Sequence, residues 1–128
     1  MTRRHLLSLL LIGPLTAALA SGCERQLAKT QLLAWLGKRF PAARKASSIG
    51  EAYLTVFPDE GDAAFLDEAL VQAALGRAES AAEYADAFDA GVRADFQSDE
   101  VVRLRGWWLS RLEARACARL ALARKNGA

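Results

Sequence analysis

Apolar side chains recur along most of the chain at intervals of three and four residues, which places them on one face of an α-helix. This pattern predicts helices over residues 24–40, 48–57, 62–76, 80–96 and from 110 onwards. Pro41 ends the first helix, because the residue before a proline is driven out of helical backbone. Gly91 lies within the fourth, and since glycine is a poor helix former we expect that helix to end or bend there.

Polar residues mark where several of these helices begin. A serine followed three residues later by a glutamate is a capping box, in which each side chain accepts a hydrogen bond from the other residue's backbone N–H. This motif predicts helix starts at Ser48, Ser80 and Ser110. Asp62 is a predicted N-cap for the next apolar stretch, because its carboxylate can accept from a free N–H of the first turn.

Residues 97–109 interrupt the helical pattern. Val101 and Val102 begin a short β-prone stretch, and Gly106, Trp107 and Trp108 follow it. We expect an extended segment and a turn here, not a sheet, because no second strand is evident to pair with it. Adjacent side chains point in different directions, so we expect one tryptophan to pack and the other to lie near the surface. The alternative is an exposed tryptophan that binds a partner or lies at a lipid interface.

Length and composition agree with a helical fold. After residue 22 the chain has 24 alanines but only five valines and one isoleucine. Alanine favours helices, whereas β-branched residues favour strands. A chain of 128 residues suits a single domain. The predicted fold class is therefore all-α, a compact bundle of four or five short helices with an irregular Trp-containing connection before the last helix.

The first 22 residues have the layout of an export signal peptide. Arg3 and Arg4 form a short basic head, an apolar run follows over residues 6–20, and small residues come next. The run is shorter than the ~20 apolar residues that a membrane-spanning helix needs. We therefore interpret residues 1–22 as a signal peptide and residues 23–128 as one mature helical domain.

Two cleavage sites fit this signal. Residues 20–23 resemble a bacterial lipobox, in which case Cys23 is lipidated and its acyl chains anchor the protein on the periplasmic side of a membrane. Glu24 follows, and by resemblance to other lipoproteins the absence of aspartate at this position favours the outer membrane. Alternatively, Ala18-Leu19-Ala20 is an A-x-A site. Cleavage there would give a soluble periplasmic protein in which Cys23 could form a disulfide with Cys117.

The basic head also leaves the export route open. Thr2-Arg3-Arg4-His5-Leu6-Leu7 resembles the twin-arginine motif, which directs folded proteins across the membrane. The match is partial, because leucine stands where phenylalanine is common. An ordinary secretory signal with two arginines in its head is the other interpretation.

Removal of the signal peptide changes the chemistry that the protein carries. The whole chain has 17 basic and 15 acidic residues and one histidine. Cleavage removes Arg3, Arg4 and His5, which leaves a neutral domain without histidine. This excludes a Ser-His-Asp or Cys-His nucleophile and every histidine-ligated metal or haem site. Since no phosphate loop or metal motif occurs either, we expect no catalytic residues, no cofactor and no bound metal.

Charge is distributed unevenly along the domain. Residues 51–100 hold thirteen of the fifteen acidic residues, and both flanking segments are basic. Five acids at 59–68 suit helix caps and a solvated loop better than calcium, because their spacing differs from an EF-hand. Arg111, Arg115 and Arg119 form a row on the last helix. They either pair with the acidic segment or face solvent, or they contact a partner or anionic lipid. Nucleic acid is not expected for an exported chain.

One stretch near the C-terminus resembles a group of small exported bacterial proteins that carry a twin-arginine or lipoprotein signal. The group has a G-W-x-L-S-x-x-E-A-R helix start, and this chain has Gly106-Trp107-Trp108-Leu109-Ser110-Arg111-Leu112-Glu113-Ala114-Arg115. Residues 49–54 and the proline-acid turn after Phe57 are similar as well. The resemblance implies export and a helical fold, and the group has no assigned function.

Two functions fit these observations. The first is a non-enzymatic accessory or interaction protein, lipid-anchored at Cys23, in which Trp107, Trp108 and the arginine row contact a protein partner in the periplasm. The second is the small helical subunit of an exported membrane-associated oxidoreductase, similar to the third subunit of gluconate dehydrogenase-like complexes. That second function rests on an analogy of signal type and size.

Overall fold

The computed structural model describes residues 31–75 and 81–126. Within these ranges there are five α-helices and one two-stranded hairpin, and a 3₁₀ turn joins the second helix to the third. The elements are α1 (31–39), α2 (Ala43–Val56), the 3₁₀ turn (Pro58–Glu60), α3 (Ala63–Leu75), α4 (Ala81–Gln97), β1 (Val101–Leu104), β2 (Trp107–Ser110) and α5 (Arg111–Lys125). The predicted all-α bundle is confirmed. None of the helices in the described ranges is long and apolar enough to span a membrane.

The last helix, α5, is the central element of the bundle. Most of its buried positions are alanines, so neighbouring helices can approach its backbone closely. The closest approach is at Gly50 of α2, where an added Cβ would overlap the backbone of Cys117. Small residues on both helices therefore set the distance at which α2 crosses α5.

Two apolar clusters lie on different sides of α5. The first joins α1, α3, α4 and α5 through Leu32, Leu36, Leu70, Val71, Tyr84, Phe88, Leu112 and Ala116. Trp35 of α1 is part-buried beside this cluster, and its ring meets that of Tyr84 edge-on at a centroid distance of 4.3 Å. The second cluster joins α2, α3, β1 and α5 through Tyr53, Leu66, Leu104, Ala114 and Ala118. Because α5 contributes to both clusters, it ties the two halves of the bundle together.

The helix starts agree with the sequence at two of the four predicted positions. The capping box at Ser110 is confirmed, with the Glu113 N–H donating to Ser110 Oγ at 3.0 Å and the Ser110 N–H donating to Glu113 Oε1 at 3.1 Å. Asp62 is confirmed as a cap, since its carboxylate accepts from the Phe65 N–H at 3.3 Å. Ser48 lies inside α2, which begins at Ala43, so that prediction was wrong. Ser80 lies outside the described residues.

α4 remains helical through Gly91, so the expectation that the helix would end or bend there was wrong. The helix continues to Gln97. A Cβ at Gly91 would lie 2.8 Å from a δ-carbon of Leu112, the first apolar residue of α5. The packing of α5 against α4 therefore explains this glycine better than any local break in the helix does.

The connection before α5 is a β-hairpin, so the prediction of an extended segment without a sheet was wrong. Val101 pairs with Ser110 and Leu104 with Trp107 in an antiparallel register. Arg105 and Gly106 join the strands with φ of 50° and 83°, the left-handed backbone of a two-residue hairpin turn. The strand was missed because Arg-Gly is a weaker turn signal than Asn-Gly or Asp-Gly.

Substitution of Gly50 tests the close packing of α2 on α5. We expect Gly50→Ala to lower the free energy of unfolding by about 1–3 kcal/mol, since the added methyl group must displace backbone. Gly37→Ala is the matched control, because no heavy atom lies within 4 Å of a Cβ at that position. Alanine there should raise stability by up to about 1 kcal/mol through its helix propensity. Urea unfolding curves that shift equally for both variants would contradict this packing.

Candidate functional site

A buried carboxylate, Glu60, lies in the 3₁₀ turn and is only 7% exposed. Its Oε1 accepts hydrogen bonds from the Tyr53 hydroxyl and from Arg115 Nε, both at 2.8 Å. Its Oε2 accepts from Arg111 Nη2 at 2.8 Å and from Arg115 Nη2 at 3.4 Å. We call Tyr53, Glu60, Arg111 and Arg115 the Glu60 cluster.

The helical spacing of α5 brings the two arginines of this cluster to one carboxylate. Arg111 and Arg115 are four residues apart, so both side chains leave the same face of the helix. Arg111 Nε also donates to the Tyr53 oxygen at 3.2 Å, which closes the network. Its guanidinium lies 4.7 Å from the ring centroid of Phe57, and that of Arg115 lies 5.7 Å from Phe65. Both guanidinium groups are therefore within cation–π distance of an aromatic ring.

The electrostatics of the cluster keep Glu60 ionised. Burial by itself raises the pKa of this carboxyl, but hydrogen bonds from Arg115, Arg111 and Tyr53 together lower its pKa to about 2. Burial raises the pKa of Tyr53, and its hydrogen bond to Glu60 raises that pKa further. A carboxylate with so low a pKa and with both oxygens already accepting hydrogen bonds is a poor general base near neutral pH. The cluster is therefore suited to holding elements together.

The arginine row lies against acidic residues of the same chain. Arg119 Nε donates to Asp67 Oδ1 of α3 at 2.6 Å, and both side chains are less than one-fifth exposed. Arg111 and Arg115 share Glu60, as described above, and Arg111 also lies 3.7 Å from Glu100. The interpretation that this row pairs with the acidic middle segment is confirmed. Contact between Arg111, Arg115 or Arg119 and a partner stays a prediction. Such a contact would involve only those parts of the guanidinium groups that the carboxylates leave exposed.

The two hairpin tryptophans form the second candidate site. Trp107 is 66% exposed and Trp108 is 61% exposed, so the prediction that one of them packs was wrong. Leu104, buried opposite Trp107, fills the space in the core that a tryptophan was expected to fill. Trp108 lies opposite Arg103, whose guanidinium is 5.8 Å from the indole centroid. The alternative of exposed tryptophans is the one that the structure supports.

Of the remaining candidate residues, Cys117 is buried and the others lie outside the described residues. Cys117 of α5 is buried, and burial, with a smaller contribution from Glu113, raises the pKa of its thiol to about 12. It is therefore protonated and a weak nucleophile at neutral pH. Cys23, Arg3 and Arg4 lie outside the described residues, as does any bond between Cys23 and Cys117.

The acidic turn at 59–68 does not gather its carboxylates around one point. Glu60 faces inward to the arginines and Asp67 pairs with Arg119. Asp62 caps α3, and Asp59 is exposed. In the described part of the chain, no group of three or more His, Cys, Asp or Glu side chains has an arrangement that could hold a metal ion.

Sequence reasoning missed the central place of Tyr53 and Glu60. In the sequence Glu60 is one acid among the five at 59–68, and nothing sets Tyr53 apart from the other residues of the 48–57 helix. The only available signal was the opposite charge of the middle segment and the C-terminal segment. That signal does not select a partner, because Glu60 and Arg111 are 51 positions apart and their meeting depends on how α2, α3 and α5 pack.

Removal of the Glu60 charge tests the cluster. We expect Glu60→Gln to lower the free energy of unfolding at pH 7 by about 3 kcal/mol, because it leaves two arginines without their carboxylate. Asp59→Asn is the matched control, since this neighbouring acid is exposed, and it should change stability by less than about 0.5 kcal/mol. Urea unfolding measures both, and equal effects of the two variants would contradict the cluster.

Comparison of wild type with Glu60→Gln at two pH values tests the ionisation of Glu60. The folded pKa of Glu60, about 2, lies below its ordinary value of 4.5. A lowered carboxyl pKa contributes stability above the ordinary value, and this contribution is lost as pH falls towards the folded pKa. The stability difference between wild type and Glu60→Gln should therefore be complete at pH 7 and smaller at pH 3. A difference of the same size at both pH values would argue against an ionised Glu60 in the fold.

Two buried tyrosines allow a paired test. The Tyr84 hydroxyl is buried without a hydrogen-bond partner among the described residues, whereas the Tyr53 hydroxyl donates to Glu60. Tyr84→Phe should leave stability unchanged or raise it by about 1 kcal/mol, since it removes an unsatisfied group. Tyr53→Phe should lower stability by about 1.5–3 kcal/mol, because it removes a hydrogen bond to a charged acceptor. Thermal unfolding of both variants measures the contrast, and the reverse order would refute the assignment.

Comparison of the chain with models of known protein families, with curated proteins and with solved structures found no match. No relative therefore suggests a role for the Glu60 cluster or for the exposed tryptophans. The geometry of the described residues and the composition of the N-terminal residues are therefore the basis for the function proposed below.

Proposed function

We propose that this chain is a non-enzymatic, exported interaction protein, anchored at the periplasmic side of a bacterial membrane by lipid on Cys23. The observation that carries the proposal is the hairpin on which Trp107 and Trp108 are both more than 60% exposed. Tryptophan is among the residues that contribute most to binding when a partner covers it. The hairpin is therefore a surface for binding.

The hairpin is held to the body of the domain at both of its ends. At the turn end, Leu104 is buried in the second apolar cluster, and at the base the Arg111 N–H donates to the Glu100 carbonyl at 3.0 Å. The Leu112 N–H donates to Asp95 Oδ2 of α4 at 2.9 Å, which ties the start of α5 to the end of α4. A tryptophan held on an ordered support loses less conformational freedom on binding than one in a mobile loop.

Two side chains of the described residues that carry acid-base or nucleophilic groups are held in unreactive states. Glu60 is ionised and accepts hydrogen bonds on both oxygens. Cys117 is buried with a raised pKa. The only histidine, His5, lies in the proposed signal peptide. These features favour a binding role over an enzymatic one.

The proposed location follows from the N-terminal residues. A basic head, a short apolar run and small residues before Cys23 support export and lipidation. Glu24, in place of aspartate, favours the outer membrane. Cleavage at Ala20 with release into the periplasm is the alternative. The small subunit of an exported oxidoreductase is a second candidate, because exposed hairpin tryptophans also suit docking onto a larger subunit.

Intact mass and membrane fractionation test this proposal. The native protein should carry the mass of acyl chains on a polypeptide that begins at Cys23, and it should sediment with membranes. Cys23→Ser should abolish the acyl mass, because the thiol that takes the lipid is gone. Cys117→Ala is the matched control and should keep both the acyl mass and the membrane location. An unmodified chain cut after Ala20 in the soluble fraction would overturn the lipid anchor.

A further inference from the structure

The end of the hairpin combines two residue types that favour lipid headgroups. Arg103 and Arg105 are exposed, and Trp107 and Trp108 follow them across the turn. Residues 101–111 include no acidic residue. The nearest acids in sequence, Asp99 and Glu100, lie at the base of the hairpin, where Glu100 is beside Arg111. The turn end of the hairpin is therefore both aromatic and positively charged.

The two indoles point to opposite faces of the hairpin, because successive side chains in a strand alternate. Trp107 lies on the face that carries Leu104, and Trp108 lies on the face that carries Arg103. A flat protein surface laid against one face would cover only one of the two rings. A fluid medium can cover both exposed rings while Leu104 stays buried in the second apolar cluster.

From this arrangement we infer that the hairpin inserts into the interfacial layer of a bilayer that contains anionic phospholipid. The indoles of Trp107 and Trp108 lie at the boundary between headgroups and acyl chains, where tryptophan is enriched in membrane proteins. Arg103 and Arg105 bind phosphate groups of the headgroups, to which basic residues are attracted. The inference rests on the proposed export to a membrane surface, and it names the partner as lipid.

The length of chain before the described residues agrees with this orientation. Residue 31 lies eight positions after Cys23, and a chain of that length can span at most about 28 Å. Trp35 packs beside Tyr84, and Arg39 pairs with Asp89 at 2.7 Å, so α1 runs in the same direction as α4. Residue 31 therefore lies near the start of α4, and the hairpin follows the end of α4. Lipid at Cys23 and the inserted hairpin would hold the domain to the membrane at its two ends.

The experiment uses the mature chain, residues 23–128, with Cys23→Ser so that no acyl chain contributes to binding. Sedimentation with vesicles of phosphatidylethanolamine and phosphatidylglycerol measures the affinity, and phosphatidylcholine vesicles measure the contribution of charge. Vesicles with brominated acyl chains report whether an indole reaches the acyl boundary, because bromine quenches tryptophan fluorescence on contact. Circular dichroism and urea unfolding establish that each variant keeps the fold.

The variants separate the aromatic and the charged contributions. Trp107→Ala with Trp108→Ala should weaken binding by roughly tenfold or more, through lost apolar burial, and should abolish the quenching by brominated lipid. Arg103→Gln with Arg105→Gln should weaken binding to anionic vesicles by about thirtyfold, given ~1 kcal/mol for each basic residue, and should not change binding to phosphatidylcholine. Phe96→Ala is the matched control. Phe96 is an exposed aromatic residue on α4, and its replacement should change neither quantity.

Three results would overturn the inference. One is vesicle binding by wild type that is no tighter than binding by the tryptophan double variant. Another is tight binding without any quenching by brominated lipid. The third is the absence of vesicle binding by wild type together with capture of a protein partner. In that case a defined protein would co-purify with wild type from solubilised membranes and would not co-purify with the tryptophan double variant. This last result would leave the proposed interaction function intact, and the mass of the native protein tests the lipid anchor independently.

Discussion

Glu60 and the two arginines that bind it join elements that are distant in sequence. The carboxylate lies in the turn between α2 and α3, and Arg111 and Arg115 lie on the first turns of α5. A buried carboxylate without these partners would carry a large desolvation cost. The turn therefore has to lie against α5, and α2 and α3 have to pack on either side of it. The small residues of α2 and α5 permit this, because Gly50 leaves room for the backbone of Cys117.

The position of the hairpin follows from the same arrangement. α5 begins directly after β2, and Ser110 is both the last strand residue and the cap of the helix. Once the first turns of α5 are held by Glu60, the hairpin lies with Leu104 buried in the second apolar cluster and with Val102 and Leu109 packed against it. The core is complete without Trp107 and Trp108. Their exposure is therefore a property of the fold, and it places the candidate binding surface at the end of the hairpin.

Short sequence motifs predicted those structural features that depend on residues close together in the chain. The capping box at Ser110 and the cap at Asp62 involve contacts three residues apart, so they could be recognised in the sequence. Ser48 has the same pattern as Ser110, but α2 begins five residues earlier, and Ala46 and Ser47 in that added part of the helix are buried. Gly91 has a weak helix propensity that the contact with Leu112 outweighs. The hairpin was missed because its turn, at Arg105, lacks the usual residues for left-handed backbone.

The sequence by itself determined the helical class, because alanine content and apolar spacing act within single helices. It also determined that acidic and basic segments would oppose each other, because their charges are clustered along the chain. Only the tertiary structure decided which acid pairs with which arginine. Glu60 forms ion pairs with Arg111 and Arg115, and Asp67 forms one with Arg119. It also decided that both tryptophans face outward. These outcomes depend on the volume that distant side chains fill in the core and on the paths of the helices, which no local pattern contains.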